Sequence, residues 1–122
     1  MGAAGDRLLE IIRERSYFEG EFVLSSGRVS DYYIDGKLTT LDPEGAYLVG
    51  RRFFEKICEV APEAEAVGGP TLGADPIVSS IAVVSYLEGR PLRAFIVRKE
   101  PKGHGTGAWI EVLCTLDPCT CA

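Results

Sequence analysis

The sequence predicts an α/β protein in which a small parallel sheet follows an N-terminal module made of one helix and one hairpin. A strand, an apolar helix and a second strand follow one another between residues 66 and 97, and such a unit implies a parallel strand pair. Before this unit, two β-prone triplets flank a Ser-Ser-Gly-Arg turn, which is typical of a hairpin. A doubly wound sheet normally has about five strands or more. Because only about three core strands can be traced, the predicted core is incomplete.

The composition is that of one ordinary globular domain, with 122 residues of which 46% are hydrophobic and 25% charged. The net charge of −5 excludes a generic electrostatic nucleic-acid binder, which needs a basic surface. No apolar run reaches the ~18 residues of a membrane span, and the first residues lack the pattern of a secretory signal. We therefore expect a cytoplasmic protein with neither nucleic acid nor membrane as a partner.

The N-terminal module is predicted over residues 1–40. Asp6 is placed to cap a helix whose apolar stripe consists of Leu8, Leu9, Ile11 and Ile12. The pattern changes to that of strands between Glu21 and Asp35, where the triplets Phe22–Leu24 and Tyr32–Ile34 flank the turn.

The partial core is predicted over residues 41–111. Asp42 and Pro43 begin a helix that ends at Pro62, with an apolar face made of Ala46, Val49, Phe53 and Ile57. The strands 66–69 and 92–97 enclose a helix over 75–87, and a third strand candidate covers 109–113. An incomplete sheet leaves its last strand as an exposed edge and leaves one face of the helix 75–87 uncovered. We therefore expect five apolar side chains to be partly exposed: Ile77, Ile81, Val84, Phe95 and Val97.

The loop 98–108 is the most informative segment for chemistry. Directly after a core strand it gathers Arg98, Lys99, Lys102 and the only histidine, His104, among alternating glycines. Loops at the carboxyl ends of parallel strands bind ligands, and cations there suit a phosphate or a pyrophosphate. A histidine among them can transfer a proton to a leaving phosphate oxygen near neutral pH. The residues alone leave open a solvated loop with incidental charge.

Two further clusters suit binding of a small molecule. Around the hairpin, Arg28 and Lys37 suit a carboxylated ligand, and Tyr32 or Tyr33 suits a flat ring, although an amphipathic hairpin with a good turn explains the pattern equally. The stretch 68–76 places backbone N–H groups and a helix start at a strand end. This arrangement favours an anion, but it is also found in an ordinary loop-to-helix cap.

Together and in this order, the three clusters resemble the orotate phosphoribosyltransferases of pyrimidine biosynthesis. The motifs are F-x-L-S-S-G-R-x-S-x-Y-Y-I-D, V-G-G-P-T-L-G-A-D-P and R-K-E-P-K-x-H-G-T-G, and the resemblance covers about Leu8 to Glu111. It implies a type I phosphoribosyltransferase fold, a parallel sheet core with a small hood over the base. The implied reaction joins orotate to the phosphoribosyl group of phosphoribosyl pyrophosphate, giving orotidine 5′-monophosphate and pyrophosphate. Mg2+ is implied as the ion carried with phosphoribosyl pyrophosphate.

The resemblance also implies roles for individual residues. Lys102 and His104 are implied as catalytic residues on a mobile loop that reaches into the neighbouring subunit's site, which implies a homodimer. The residues implied on the diphosphate side are Arg98, Lys99, Lys102, His104, Thr71, Leu72 and Gly73. Those implied on the orotate side are Ser25, Ser26, Gly27, Arg28, Tyr33, Ile34 and Lys37. No residue of the chain is implied as a metal ligand.

The sequence departs from the family pattern at two kinds of position. Some members carry a lysine where this chain has Ser25, and another where it has Gly73. The family's phosphoribosyl-pyrophosphate motif, a strand ending in two acids before a loop that cradles the 5′-phosphate, is missing. Residues 112–122 form a Cys-rich tail instead, with cysteines at 114, 119 and 121. Because this tail replaces the expected motif, it is interpreted as a C-terminal truncation or a frame change. It is not interpreted as a metal site, since paired Cys-x-x-Cys spacing and a nearby histidine are absent.

Two alternatives stand beside an active orotate phosphoribosyltransferase. The departures leave open an inactive remnant that acts only as a dimerising or binding subunit. The other alternative is a different phosphoribosyltransferase, such as a purine salvage enzyme, but the hairpin motif and R-K-x-x-K-x-H-G together favour orotate. Without the 5′-phosphate cradle, the chain loses several charge-assisted hydrogen bonds, so we expect turnover at least about a thousandfold below that of a full-length relative.

Overall fold

The computed structural model describes residues 3–100 and 110–112 of the chain. In these ranges the elements follow one another in the order α1 (Ala3–Ile11), a π-helical turn (Ile12–Ser16), β1 (Tyr17–Val23), β2 (Val29–Ile34), α2 (Lys37–Thr40), α3 (Pro43–Val60), β3 (Ala66–Pro70), α4 (Asp75–Leu87), β4 (Arg93–Val97) and β5 (Ile110–Val112). The Cys-rich tail beyond Val112 and most of the loop 98–108 lie outside the described residues. The domain boundaries expected at residues 40 and 111 stay predictions.

The predicted hairpin is confirmed, and its first strand is longer than expected. β1 and β2 pair antiparallel from Tyr17 opposite Ile34 to Val23 opposite Val29, with a bulge between Glu19 and Phe22. The strand begins at Tyr17, before the β-prone triplet, because aromatic side chains continue the cross-strand contacts there: the Tyr17 and Tyr32 rings stack with centroids 6.0 Å apart.

The core sheet has the order β3-β4-β5. The predicted parallel pair is confirmed, with Ala66 opposite Arg93 and Pro70 opposite Val97. The sequence assigns no direction to the third strand candidate; in the structure β5 runs antiparallel to β4 and places Ile110 opposite Val97. β5 starts beside the end of β4, whereas a parallel strand would start at the other end of the sheet, after a crossover. The sheet is therefore mixed.

The hydrophobic core lies between α3, α4 and the sheet. Its buried cluster contains Phe54, Ile81, Val84 and Leu92, against which Ile57, Cys58, Val67 and Ile77 pack. The expectation that Ile81 and Val84 are partly exposed is wrong: their exposed fractions are 1% and 3%, because α3 covers this face of α4. Ile77, Phe95 and Val97 are half-buried, as expected.

The buried face of α3 differs from the predicted one. Phe53 is 47% exposed, whereas its neighbour Phe54 is buried at 8%. The reason is a close helix contact at Gly50, where an added Cβ would lie 2.7 Å from the Ser80 carbonyl oxygen of α4. A pattern of apolar side chains cannot show such a contact, because the residue that makes it has no side chain.

The N-terminal module joins the core at the beginning of α3. The Arg7 guanidinium of α1 donates to both carboxylate oxygens of Glu44, at 3.0 and 2.9 Å, and holds the pKa of Glu44 below its ordinary value. Behind this exposed pair, the hydroxyls of Ser16 and Thr39 form a buried hydrogen bond of 2.5 Å. None of the helices in the described ranges has the length and the apolar composition that a membrane crossing requires.

Candidate active site

The ends of β3 and β4 bring two predicted ligand-binding segments together. Since the two strands are parallel, Thr71 after β3 and Arg98 after β4 lie at the same edge of the sheet, and the Thr71 N–H donates to the Val97 carbonyl at 3.0 Å. An open cleft of about 510 Å³ lies at this edge. Its described lining consists of Thr71, Asp75, Ile96, Arg98, Lys99 and Glu100.

The β3–α4 loop, 71–74, forms one wall of the cleft. The Ala74 N–H donates to the Pro70 carbonyl at 3.0 Å and the Asp75 N–H donates to the Leu72 carbonyl at 3.2 Å, which closes the turn into α4. Within the described ranges, the N–H groups of Leu72 and Gly73 donate to no acceptor. Two free N–H groups at the start of a helix form an arrangement that binds anions.

Glycines at two positions shape this loop. At Gly69, an added Cβ would lie only 2.6 Å from the Ala74 Cβ, so a glycine is needed for the chain to turn back on itself. At Gly73, an added Cβ would have no neighbour within 4 Å, so the position at which the family pattern implies a lysine in some members has open space.

The described lining of the cleft carries charges of both signs. Arg98 and Lys99 contribute two cations, and the Arg98 Nε–H donates to the Glu100 carbonyl at 3.2 Å. Asp75 and Glu100 contribute two carboxylates, so the formal charges of the described lining cancel. The two predicted catalytic residues, Lys102 and His104, lie outside the described residues, and their positions stay predictions.

Six of the seven residues predicted on the orotate side lie on the hairpin and Lys37 lies in α2; none of the seven belongs to the described lining of this cleft. Ser25, Ser26 and Gly27 form its exposed turn, closed by a hydrogen bond from the Leu24 N–H to the Arg28 carbonyl at 2.8 Å. Gly27 has a φ of 86°, which favours glycine. These residues therefore lie within the hood, apart from the described lining of the cleft.

The remaining orotate-side residues follow the turn along β2 and into α2. Tyr33 packs against Phe22 with ring centroids 5.7 Å apart and is still 42% exposed, and Ile34 is 52% exposed. The Lys37 ammonium lies 3.5 Å from the Asp35 carboxylate on the surface. Tyr33, Ile34 and Lys37 are thus accessible to a ligand.

Asp75 is a site residue that sequence reasoning missed. The sequence identified it only as a helix start, but its side chain lines the cleft and accepts a hydrogen bond from the Thr71 hydroxyl at 2.8 Å. The signal in the sequence is a hydroxyl and a carboxylate four positions apart across the entry into a helix. Among the described residues, no group of three or more side chains of the metal-ligating types lies close enough to hold a metal ion.

Comparisons with known proteins give one consistent family. No protein-family model matches the chain. A curated orotate phosphoribosyltransferase from a Nostoc species is 51% identical over 105 residues, which are 86% of this chain and 50% of that protein.

Solved structures agree with this relationship. A Mycobacterium tuberculosis H37Rv orotate phosphoribosyltransferase in complex with Fe(III) dicitrate matches with a TM-score of 0.74 and 39% identity, over 90% of this chain and 60% of that one. The same enzyme in complex with 5-phospho-α-D-ribosyl 1-diphosphate matches with a TM-score of 0.67 and 34% identity, over 90% and 57%. The chain thus spans about half the length of the curated relative it matches. In sequence and in its type I phosphoribosyltransferase fold, this chain is similar to the orotate phosphoribosyltransferases over most of its own length.

Proposed function

We propose that the protein to which this chain belongs transfers the phosphoribosyl group of phosphoribosyl pyrophosphate to orotate, releasing pyrophosphate. The observation that carries the proposal is the cleft at the ends of β3 and β4, where Thr71 meets Arg98 and Lys99. In a parallel α/β sheet this edge is where ligands bind, and its donors suit a diphosphate. A related enzyme has been solved in complex with that substrate.

The diphosphate is bound by donors from both walls of the cleft. The N–H groups of Leu72 and Gly73 donate to phosphate oxygens from one side, while Arg98 and Lys99 do so from the other. Because Asp75 and Glu100 cancel the charge of these two cations, the dianionic group needs further positive charge. The resemblance supplies it from Lys102 and from Mg2+, with His104 as a further hydrogen-bond donor.

The chemistry consists mainly of stabilising charge that develops in the transition state. As the bond between ribose and pyrophosphate breaks, negative charge grows on the leaving group, and cations that already face it lower the barrier. Lys102 is assigned to this role, and His104 donates a proton or a hydrogen bond to a leaving oxygen near neutral pH. Closure of the loop over the cleft excludes water from the oxocarbenium-like ribose.

Orotate is assigned to the hood. Its carboxylate is an acceptor for Arg28 or Lys37, and Lys37 exchanges its surface partner Asp35 for the ligand. The half-exposed Tyr33 and Ile34 offer an apolar surface to the ring. Binding of orotate requires that the hairpin and the cleft form one enclosed site. We assign the formation of that site to closure of the loop 98–108.

Mg2+ is proposed as part of the bound substrate. The described residues alone form no group that would hold a metal ion by themselves. Mg2+ commonly binds through substrate phosphates with few protein ligands, and the resemblance implies this role for it here. We further propose a homodimer in the cytoplasm, in which the part of the loop 98–108 that carries Lys102 and His104 closes over the site of the other subunit.

The test is an assay of the purified chain with orotate, phosphoribosyl pyrophosphate and Mg2+, following the loss of orotate absorbance and the release of pyrophosphate. Phosphoribosyl pyrophosphate binding is measured in parallel by calorimetry. Arg98→Ala and Lys99→Ala should each weaken that binding by about tenfold or more. Lys56→Ala, which removes the same charge from the surface of α3, should leave it unchanged.

The outcomes separate the proposal from its alternative. Binding with slow turnover that rises when a full-length relative is added supports transfer with a loop acting between subunits. Binding without any turnover, alone or mixed, favours the dimerising or binding subunit. Absence of binding by the wild-type chain contradicts the proposal.

A further inference from the structure

The side chains of Thr71 and Asp75 close the β3–α4 loop from one end to the other. The Thr71 hydroxyl donates to Asp75 Oδ2 at 2.8 Å, and this bond spans the same residues as the backbone bonds from Ala74 to Pro70 and from Asp75 to Leu72. A threonine hydroxyl has a single proton to donate. Because Asp75 accepts it, Thr71 cannot at the same time donate that proton to a diphosphate.

Asp75 is an unexpected residue for this position. Its carboxylate lines the cleft in which the proposed function places an anion, so its charge opposes binding. Its second oxygen, Oδ1, is buried and accepts no hydrogen bond within the described part of the chain. Leaving a buried carboxylate oxygen without a partner destabilises the folded state.

We propose that Asp75 is a positioning residue: it fixes Thr71 and thereby holds the N–H groups of Leu72 and Gly73 in the orientation that binds the diphosphate. This inference rests on the proposed function. Asp75 fixes the loop by accepting the hydrogen bond from Thr71, whereas its negative charge weakens binding of the diphosphate. An acceptor without charge at position 75 should therefore serve the loop at least as well as the carboxylate does.

The experiment compares two substitutions of Asp75 that differ in the acceptor they leave. Asp75→Asn keeps an oxygen for the Thr71 hydroxyl and removes the charge, so it should bind inorganic pyrophosphate and phosphoribosyl pyrophosphate at least as tightly as the wild type. Asp75→Ala removes the charge and the acceptor, so it should bind both at least about tenfold more weakly. Thr71→Ser and Thr71→Val form a second pair. The serine keeps the hydroxyl that donates to Asp75, so it should bind both ligands as tightly as the wild type. The valine lacks this hydroxyl and should bind both at least about tenfold more weakly.

Backbone amide exchange provides a readout that needs no ligand. The N–H groups of Ala74 and Asp75 are hydrogen-bonded within the loop, and they should exchange faster in Asp75→Ala and Thr71→Val than in Asp75→Asn and Thr71→Ser. Circular dichroism checks that each variant is folded. If Asp75→Ala fails to fold, the Thr71 pair decides.

Three results would overturn the inference. Equal pyrophosphate affinity in the Asn and Ala variants, whether raised or unchanged, means that Asp75 acts through its charge alone or not at all. Unchanged amide exchange in Asp75→Ala means that the hydrogen bond does not fix the loop. A wild-type chain that binds no pyrophosphate overturns the proposed function and the purpose assigned here to Asp75, while amide exchange still shows whether the loop is fixed.

Discussion

Replacement of Gly45 by alanine tests how the N-terminal module is joined to the core. Gly45 lies buried in the first turn of α3, where its N–H donates to the Asp42 carboxylate at 2.8 Å. An added Cβ would lie 2.1 Å from the Thr39 carbonyl oxygen, and Cβ contacts below 3.0 Å essentially do not occur, so α2 must move by at least about 0.9 Å. That movement breaks the buried hydrogen bond between Thr39 and Ser16, which links α2 to the end of the first helical segment.

The magnitude follows from these contacts. Overpacking costs about 1–3 kcal/mol and the lost hydrogen bond about 1 kcal/mol more, against a gain of up to about 1 kcal/mol from alanine in a helix. We expect Gly45→Ala to lower the free energy of unfolding by about 2 kcal/mol, or Tm by roughly 8 °C for a chain of this size.

The assay is urea unfolding followed by far-ultraviolet circular dichroism. The matched control is Gly36→Ala, because Gly36 has a helical φ of −59° and an added Cβ there has no neighbour within 4 Å. The control should stay within about 0.5 kcal/mol of the wild type. A Gly45→Ala variant as stable as the control would refute the claim that α2 and α3 are in close contact.

Three further expectations concern catalysis, pH and the core. In any active assembly, Lys102→Ala and His104→Ala should lower kcat far more than they weaken orotate binding, because their assigned partner is the leaving diphosphate; the reverse split would place the loop on the wrong substrate. The hydrogen bond from the Arg7 guanidinium holds the pKa of Glu44 below its ordinary value of 4.5. The ion pair therefore stabilises the fold at neutral pH. This contribution is lost as the pH falls below 4.5 and through the lower pKa that Glu44 has in the folded state. Acid unfolding of Glu44→Gln should therefore depend less on pH below that value, and an unchanged profile would contradict the assignment. Ser85→Ala removes the buried hydroxyl that accepts from the Leu92 N–H at 2.8 Å, and urea unfolding should show a loss of about 1–3 kcal/mol; a change below about 0.5 kcal/mol would mean that the N–H finds another partner.

The sequence by itself determined the elements whose signals are local. Asp42 before Pro43 predicted the start of α3, and the structure shows the Asp42 carboxylate accepting from the backbone N–H three residues later. The Ser-Ser-Gly-Arg turn predicted the hairpin, because glycine readily adopts the positive φ that closes such a turn. The structure shows a positive φ at Gly27. The order of strand, helix and strand predicted the parallel pair, since chain connectivity alone restricts how such a unit folds.

The order of three motifs also predicted the family, and this needed no knowledge of distances. A motif records residue types at fixed spacing along the chain. Sequence identity with the Nostoc relative likewise depends on residue types alone. By contrast, the roles of Lys102 and His104 depend on where their side chains meet a substrate, and they stay predictions.

Only the tertiary structure decided which of two neighbouring residues is buried and which residues meet across the cleft. Phe54 rather than Phe53 enters the core because the close contact at Gly50 fixes the rotation of α3 against α4. Asp75 faces Arg98 across the cleft because β3 and β4 end at the same edge, although the two residues are far apart in the sequence. Hydrophobic periodicity reports the composition of one element, whereas these contacts depend on the distance and rotation between two elements, which no single segment encodes.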